Sequence, residues 1–273
     1  MFYDLKFIQN EVEVHPQEQL KLVCANISRS YPQYEVEYTE FSGSNGNRET
    51  NSSFRPFTLT LDLDVFFDNE KNAELLETEL YSLIFIGKPY YLLHSKSPGK
   101  RFKVNPVSLE REDEYSSYTR YKAEFLVFAG HSESVTTTLR NYNLEEDWQF
   151  SQGLVADDYE YTFNKNKFVV YNAGDFTVDP REQELTIKIE GMSDGKCTVF
   201  NKTTGERFIY NKSIYSDKGE VLTLEGVYPK INGINCGIDT NHGLITLVPG
   251  ENEIEIQNVS RIHVSFDFRF LYK

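Results

Sequence analysis

The sequence is poor in the residues that form disulfides, metal sites and catalytic centres. Its 3 cysteines, Cys24, Cys197 and Cys236, are an odd number without a CxxC or CxxH spacing, so they predict neither a disulfide framework nor a zinc cluster but reduced core residues. The 5 histidines are scattered, and none lies at a metal-ligand spacing from another. A glycine loop of the phosphate-binding type is also missing. We therefore predict that the chain is not an enzyme, has no metal site and uses no cofactor.

Positive charge and long apolar runs are scarce as well. Lys and Arg number 28 against 42 Asp and Glu, and the formal net charge of -14 disfavours binding along nucleic-acid backbones. A local group of Lys96, Lys100, Arg101 and Lys103 around a turn is either a solvated loop, the commoner case, or a contact for an anion or partner. No run approaches the roughly 20 apolar residues of a membrane span, and no signal peptide is recognisable. We expect synthesis in the cytoplasm and no membrane insertion.

One pair of carboxylates, Asp62 and Asp64, has a spacing that catalysis can use. On one face of a strand their backbones lie about 6.6 Å apart, and carboxyl groups roughly 6.5 to 9.5 Å apart serve inverting glycosidases. The apolar and polar residues around them alternate, and no third carboxylate or glycine completes a calcium loop. We interpret both as residues on the polar face of an amphipathic strand.

Aromatic residues are what the chain has in abundance, with 20 Phe and 18 Tyr. Such rings suit pleated, half-buried sheets, and apolar and polar residues alternate over 34–41 and 57–65 as in strands with one buried face. Residues 42–53 between them are mostly Ser, Gly, Asn and charged residues. We predict that the two strands pair as a hairpin with a long polar tip, which is suited to reaching a neighbour.

A single amphipathic helix is predicted after this hairpin. Its apolar stripe consists of Ala73, Leu76, Leu80, Leu83 and Ile84. Asp68 is the candidate N-cap, and Gly87 ends the helix. Strand patterns follow at 90–93, 102–109 and 118–128. They predict an α+β first domain, a β-sheet with one helix and an extended hairpin.

The second half has no helical periodicity. Beyond residue 159, turn pairs such as Asp194-Gly195 and Asn232-Gly233 recur about every ten residues between short β-prone runs, which predicts an antiparallel β-sandwich. The chain is therefore predicted to be mainly β. Residues from about 131 to 158 are expected to connect the halves, so we place the first domain and its linker at 1–150 and the sandwich at 151–273.

Several motifs of the second half are specific enough to indicate a family. They are FVVYNAGD at 168–175, Pro180, IKIEG at 187–191, GID at 237–239, LVPGEN at 247–252 and VSFDFRFLY at 264–272. Together they resemble the distal tail proteins of siphophages, the hub of the tail tip. The order of hairpin, amphipathic strand, helix and strands in the first half agrees with that resemblance.

The resemblance implies a structural role in the virion tail tip or baseplate. The first domains would form a homohexameric ring, with a galectin-like sandwich outside each subunit. The ring would join the tail tube protein to the tail-tip (tail-associated) protein, let DNA pass without reading its sequence, and carry the receptor-binding protein as a further partner. We assign the oligomer interface to six residues of the predicted hairpin, Tyr38, Phe41, Phe54, Arg55, Phe57 and Leu59.

The alternative function is a carbohydrate-binding module for host adhesion. Galectins bind sugar through a His-x-Asn-x-Arg strand motif and a stacking tryptophan. The nearest spacing here is His263-x-Ser265-x-Asp267, and the single tryptophan, Trp148, lies in the predicted linker. We therefore predict that the sandwich does not bind sugar through His263.

Overall fold

The computed structural model describes residues 2–43, 45–140 and 159–273. The chain divides into two compact units, Met1–Glu133 with Lys273 and Ser134–Tyr272. The predicted boundary between residues 150 and 151 lies outside the described residues, as does Trp148. Part of the predicted linker is built into the second unit, because the Ser134 amide donates to the Phe270 carbonyl at 2.8 Å and the Thr138 hydroxyl donates to the Phe266 carbonyl at 2.8 Å.

The first unit is a sheet with one long helix. Its elements are β1 (Leu5–Gln9), β2 (Val12–Val14), α1 (Pro16–Gln19), β3 (Leu22–Arg29), β4 (Tyr34–Glu40), β5 (Asn47–Phe54), β6 (Phe57–Phe66), α2 (Glu70–Ile84), β7 (Tyr90–His94), β8 (Lys100–Glu114), β9 (Tyr118–Val127) and β10 (Ser132–Ser134). The main sheet runs β2-β1-β7-β8-β9-β6-β3 with antiparallel neighbours. Neither helix in the described ranges has the length and apolarity that a membrane crossing requires.

Alternation along β6 produces the core of this unit. Phe57, Leu59 and Leu61 point to the buried face, and Leu80 and Ile84 of α2 belong to the same apolar cluster. The predicted helix is confirmed, but its cap is Asn69, whose side chain accepts a hydrogen bond from the Asn72 amide at 3.0 Å. The N-cap side chain thus satisfies one of the amides that a helix start leaves open.

The predicted pairing of the hairpin was wrong. β4 pairs with β5 and with no other described strand, whereas β6 pairs with β3 and β9. The polar stretch taken for a tip therefore forms the second strand. Both faces of β5 are exposed, so no apolar alternation marks it in the sequence.

The second unit is the predicted β-sandwich. Its strands are β11 (Thr162–Phe163), β12 (Lys167–Asn172), β13 (Leu185–Ser193), β14 (Cys197–Asn201), β15 (Arg207–Tyr210), β16 (Ile214–Tyr215), β17 (Leu222–Glu225), β18 (Tyr228–Ile231), β19 (Ile234–Asn235), β20 (Gly250–Gln257), β21 (Ser260–Phe268) and β22 (Leu271–Tyr272), with short 3-10 helices at Ser216–Lys218 and Gly237–Asp239. One sheet runs β11-β21-β13-β17-β18-β19, with β16 beside β13, and the other runs β12-β20-β14-β15. Their inner residues form one apolar cluster. The mainly β fold predicted from the sequence is thus confirmed.

Three buried asparagines hold one loop of the sandwich. Asn172 donates to the Leu247 carbonyl at 2.9 Å, and Asn201 donates to the Thr246 carbonyl at 2.8 Å. Asn252 accepts from the Val248 amide at 3.0 Å and donates to the Val248 carbonyl at 2.8 Å. The loop before β20 is therefore tied to β12, β14 and β20 by amide side chains.

His94, at the end of β7, is buried as a neutral ring. It stacks on Phe102 with ring centroids 5.3 Å apart, and its Nδ1 has no hydrogen-bond partner within the described residues. Burial, aided by the nearby positive charges of Lys96 and Arg29, lowers the pKa of His94 from 6.5 to about 4. The folded first unit therefore resists protonation at this ring.

We predict that Leu80→Asp unfolds the first unit. Leu80 is 1% exposed, and an unpaired carboxylate there costs roughly 3 kcal/mol or more. Leu75 lies on the same helix but is 57% exposed, so Leu75→Asp is the matched control and should cost less than about 1 kcal/mol. Urea unfolding followed by circular dichroism measures both. Similar losses in the two variants would contradict this description of the core.

We predict that the stability of the first unit falls as pH falls from about 6.5 to about 4. The unfolded chain binds the His94 proton near the upper value and the folded chain only near the lower one, so acid favours unfolding, by up to about 3 kcal/mol. His94→Phe keeps the ring stack without the titrating group. Unfolding free energies measured across this range should vary less in His94→Phe than in the wild type. The same acid sensitivity in both proteins would refute the assignment.

Candidate assembly surface

Asp62 and Asp64, the two carboxylates whose spacing catalysis can use, form hydrogen bonds with neighbouring side chains. The Arg120 guanidinium donates to both oxygens of Asp64, at 2.7 and 2.8 Å, and the Asn26 side chain donates to Asp62 at 3.1 Å. Within the described residues, no group of three or more His, Cys, Asp or Glu side chains is placed to hold a metal ion. Asp62 and Asp64 thus lie on the polar face of β6, as interpreted from the sequence.

Two cations of the predicted basic group, Lys96 and Arg101, form polar contacts within the first unit. Arg101 forms an ion pair with Glu133 at 2.5 Å and lies 3.8 Å from the centroid of the Tyr91 ring. The Lys96 ammonium donates to the Ile27 carbonyl at 2.5 Å. These two cations stabilise the unit and do not converge on an anion site.

The three cysteines are buried and unpaired, as predicted. Burial is the largest cause that raises the pKa of the thiols of Cys24 and Cys197, in each case to about 12. Protonated, enclosed thiols of this kind are poor nucleophiles.

The β4–β5 hairpin is the most exposed regular element of the first unit. Both strands carry exposed residues along almost their whole length. Because the two strands pair only with each other among the described strands, each keeps one edge of backbone N–H and C=O groups outside any ladder. Such edges are the groups that another chain can pair with.

One face of the hairpin carries apolar side chains. Alternate residues of β4 place Tyr34, Val36 and Tyr38 on the same face, and Tyr38 is 62% exposed. Phe54 on β5 pairs with Tyr34, and their ring centroids lie 5.0 Å apart. Sequence reasoning missed Tyr34 and Val36, although the alternation with Tyr38 was a usable signal. We call these four residues the aromatic face.

The base of the hairpin is held closed. The Arg55 amide donates to the Gln33 carbonyl at 2.8 Å, and the Arg55 side chain forms an ion pair with Glu35. Gly130 has a positive φ of 72°, and a Cβ there would lie 2.8 Å from the Phe54 carbonyl oxygen. Only glycine allows this close approach without displacing the hairpin.

The six residues assigned to an oligomer interface fall into two groups. Tyr38, Phe41 and Arg55 are exposed, and Phe54 is partly so. Phe57 and Leu59 are 2% and 1% exposed in the core of the first unit. The assignment of these two is corrected, because a neighbouring chain cannot contact side chains that β6 directs inward.

His263 lies on β21 and contacts another side chain of the second unit. Its Nδ1 is 2.7 Å from the side-chain oxygen of Asn164. The next two outward positions of that strand, Ser265 and Asp267, lack the amide and guanidinium donors of the galectin motif. The strand thus carries only one of the three polar groups through which galectins bind sugar.

Comparison with known proteins supports the relationship seen in the sequence. Residues 15–127 match the phage tail protein RIFT-related domain family. None of the curated proteins matches the chain. The match is to a domain of phage tail proteins, which agrees with the prediction that the chain is not an enzyme.

A solved structure of a phage tail protein agrees in fold. The Dit protein (gp 19.1) of phage SPP1, described as a paradigm of the hub adsorption apparatus in phages infecting Gram-positive bacteria, aligns with a TM-score of 0.69 at 12% identity, covering 98% of this chain and 99% of that one. Chains of the activated phage P2 baseplate with Ca and with Sr align at 11% identity with TM-scores of 0.46 and 0.44, covering 99% and 98% of this chain and 98% and 97% of theirs. Scores at that level do not establish a shared fold. Residues 15–127 thus match a phage tail protein RIFT-related domain, and the chain has the fold of a siphophage distal tail protein.

Proposed function

We propose that this chain is the structural hub of a siphophage tail tip or baseplate. In this proposal the first units assemble into a homohexameric ring that joins the tail tube protein to the tail-tip protein. The observation that carries it is the β4–β5 hairpin, whose outer edges pair with no other described strand and which has an exposed aromatic face. The phage tail domain at 15–127 supports a place in the virion tail.

In this proposal, a second copy of the chain pairs with the backbone groups at the outer edges of the hairpin. Strand edges in water are a liability that folded proteins usually cover, and pairing with a neighbour covers them. The aromatic face adds apolar area to the same contact, since Tyr and Phe contribute much of the binding energy in interfaces. A heterologous contact of this type closes into a ring when the rotation between copies allows closure.

The charge of the chain suits a channel for DNA. A formal net charge of -14 opposes adhesion of a polyanion, so DNA passes such a ring without being held. We further propose that the protein is made in the host cytoplasm and that the assembled ring also carries the receptor-binding protein. The alternative, sugar binding through the galectin-type strand, is disfavoured because His263 is bound to Asn164.

We predict that Tyr34→Ser with Tyr38→Ser weakens ring formation and leaves the fold intact. Both rings are exposed, so the core loses nothing, whereas an interface ring contributes about 1 to 2 kcal/mol, or roughly tenfold in affinity. The matched control is Glu37→Ala with Thr39→Ala on the opposite face of β4. Light scattering over a range of concentrations measures the mass. Equal masses for both double variants would show that the aromatic face is not the contact.

We predict that the whole hairpin can be removed without unfolding the first unit. The strands pair only with each other, and the backbones of Gln33 and Arg55 are one 2.8 Å hydrogen bond apart, so two glycines can replace residues 34–54. The shortened protein should keep the circular dichroism spectrum and the folding transition of a β protein but fail to form rings. Rings as stable as those of the parent would overturn the proposed role of the hairpin.

A further inference from the structure

The second unit has a polar cleft that the ring does not use. Its volume is about 500 Å³, and its walls come from Asp194, Gly195, Tyr210, Asn211, Lys212, Ser213, Tyr215, Glu220 and Ile231. By contrast, the apolar cleft lined by Leu224 and Phe208 has about 20 Å³, room for roughly one water. Of these two clefts in the described part of the chain, the polar one has the size of a small-molecule site.

The polar cleft contains polar side-chain groups that are available for hydrogen bonds with a ligand. Within the described residues, the Asp194 carboxylate and the Asn211 side-chain amide form no hydrogen bond or ion pair. Glu220 uses one carboxylate oxygen to accept from the Tyr215 amide at 2.8 Å. The Tyr210 hydroxyl stays protonated, because burial raises its pKa. The lining thus offers acceptors and donors side by side.

The cleft is also held in shape before any ligand binds. The Ser213 hydroxyl donates to the Asp194 carbonyl at 3.2 Å, and the Asn211 amide donates to the Asp239 carbonyl at 2.8 Å. The Tyr215 ring lies 4.5 Å from the Lys218 ammonium. A preorganised site loses little conformational entropy on binding.

The chemistry of the lining favours a ligand with several hydroxyl groups. The carboxylates of Asp194 and Glu220 oppose an anion, and the Lys212 ammonium is neutralised by Asp239 at 3.0 Å. The polar walls oppose a wholly apolar ligand, and no third carboxylate completes a metal site among the described residues. A neutral sugar matches instead, because its adjacent hydroxyls donate to carboxylates and accept from amides while its C–H face packs on a tyrosine ring.

We propose that this cleft binds a neutral saccharide, at a site separate from the galectin-type strand that carries His263. The proposal is independent of ring formation, since the cleft lies in the second unit and the hairpin in the first.

An array of neutral, amino-substituted and acidic oligosaccharides, followed by calorimetry with the strongest binder, tests the proposal on the full chain. We expect a neutral saccharide to bind, and Tyr215→Ala and Asn211→Ala each to weaken binding at least roughly tenfold. Asn211 is exposed, so its truncation tests the cleft without a folding defect. The controls Tyr215→Phe, which keeps the ring, and His263→Ala should bind as the parent does.

Three outcomes would overturn the proposal. They are an array without neutral binders, binding that survives both cleft substitutions, and binding that His263→Ala abolishes while Asn211→Ala leaves it unchanged. Light scattering on the same samples reports the ring separately, so a failed saccharide site is distinguishable from a failed assembly surface.

Discussion

A strand at the edge of a sheet leaves backbone N–H and C=O groups without partners, and a chain with so little helix has many such edges. Elsewhere in each unit, several of these backbone groups form hydrogen bonds with side chains of the same unit. Lys96 donates to the carbonyl of Ile27 on β3. On β15, the Asn241 side chain accepts from the Ile209 amide at 2.8 Å and donates to the Arg207 carbonyl at 2.9 Å. Among the described strands, β4 and β5 pair only with each other, and in the proposed assembly a neighbouring subunit pairs with their outer edges. The same kind of backbone group thus stabilises each unit and, in the proposed assembly, joins neighbouring subunits.

The motif around Pro249 shows why one part of the sequence is recognisable. The LVPGEN segment contains Asn252, whose amide bonds fix the loop entering β20, and Asn172 reaches the same loop from β12. An aspartate or a leucine at either position would leave buried backbone groups unpaired, at a cost of about 1 to 3 kcal/mol each. Residue identity is therefore restricted here, whereas most apolar core positions accept several side chains of similar volume.

The sequence predicted elements well where one face is buried. Alternation of apolar and polar residues predicted β6, and the helical spacing of apolar residues up to Ile84 predicted α2. Recurring turn pairs predicted the sandwich. β5 was missed because a strand exposed on both faces has no pattern, and its partner was therefore misassigned. The interface assignment failed for a related reason. Phe57 and Leu59 were grouped with Tyr38 because β6 was expected to pair with the strand that carries Tyr38, whereas β6 lies in the main sheet and directs both side chains into the core. The polar cleft gathers residues from several connections, which no local pattern reveals.

The closed base of the hairpin has a consequence for how such proteins diverge. Since Gln33 and Arg55 are bonded to each other and the strands between them contribute nothing to a core, substitutions, insertions and deletions within the hairpin are nearly free of folding cost. Packing constrains the base of the hairpin more tightly, since an added Cβ at Gly130 would lie 2.8 Å from the Phe54 carbonyl oxygen. In the proposed assembly, the contact surface can therefore vary without a folding cost to the scaffold that carries it.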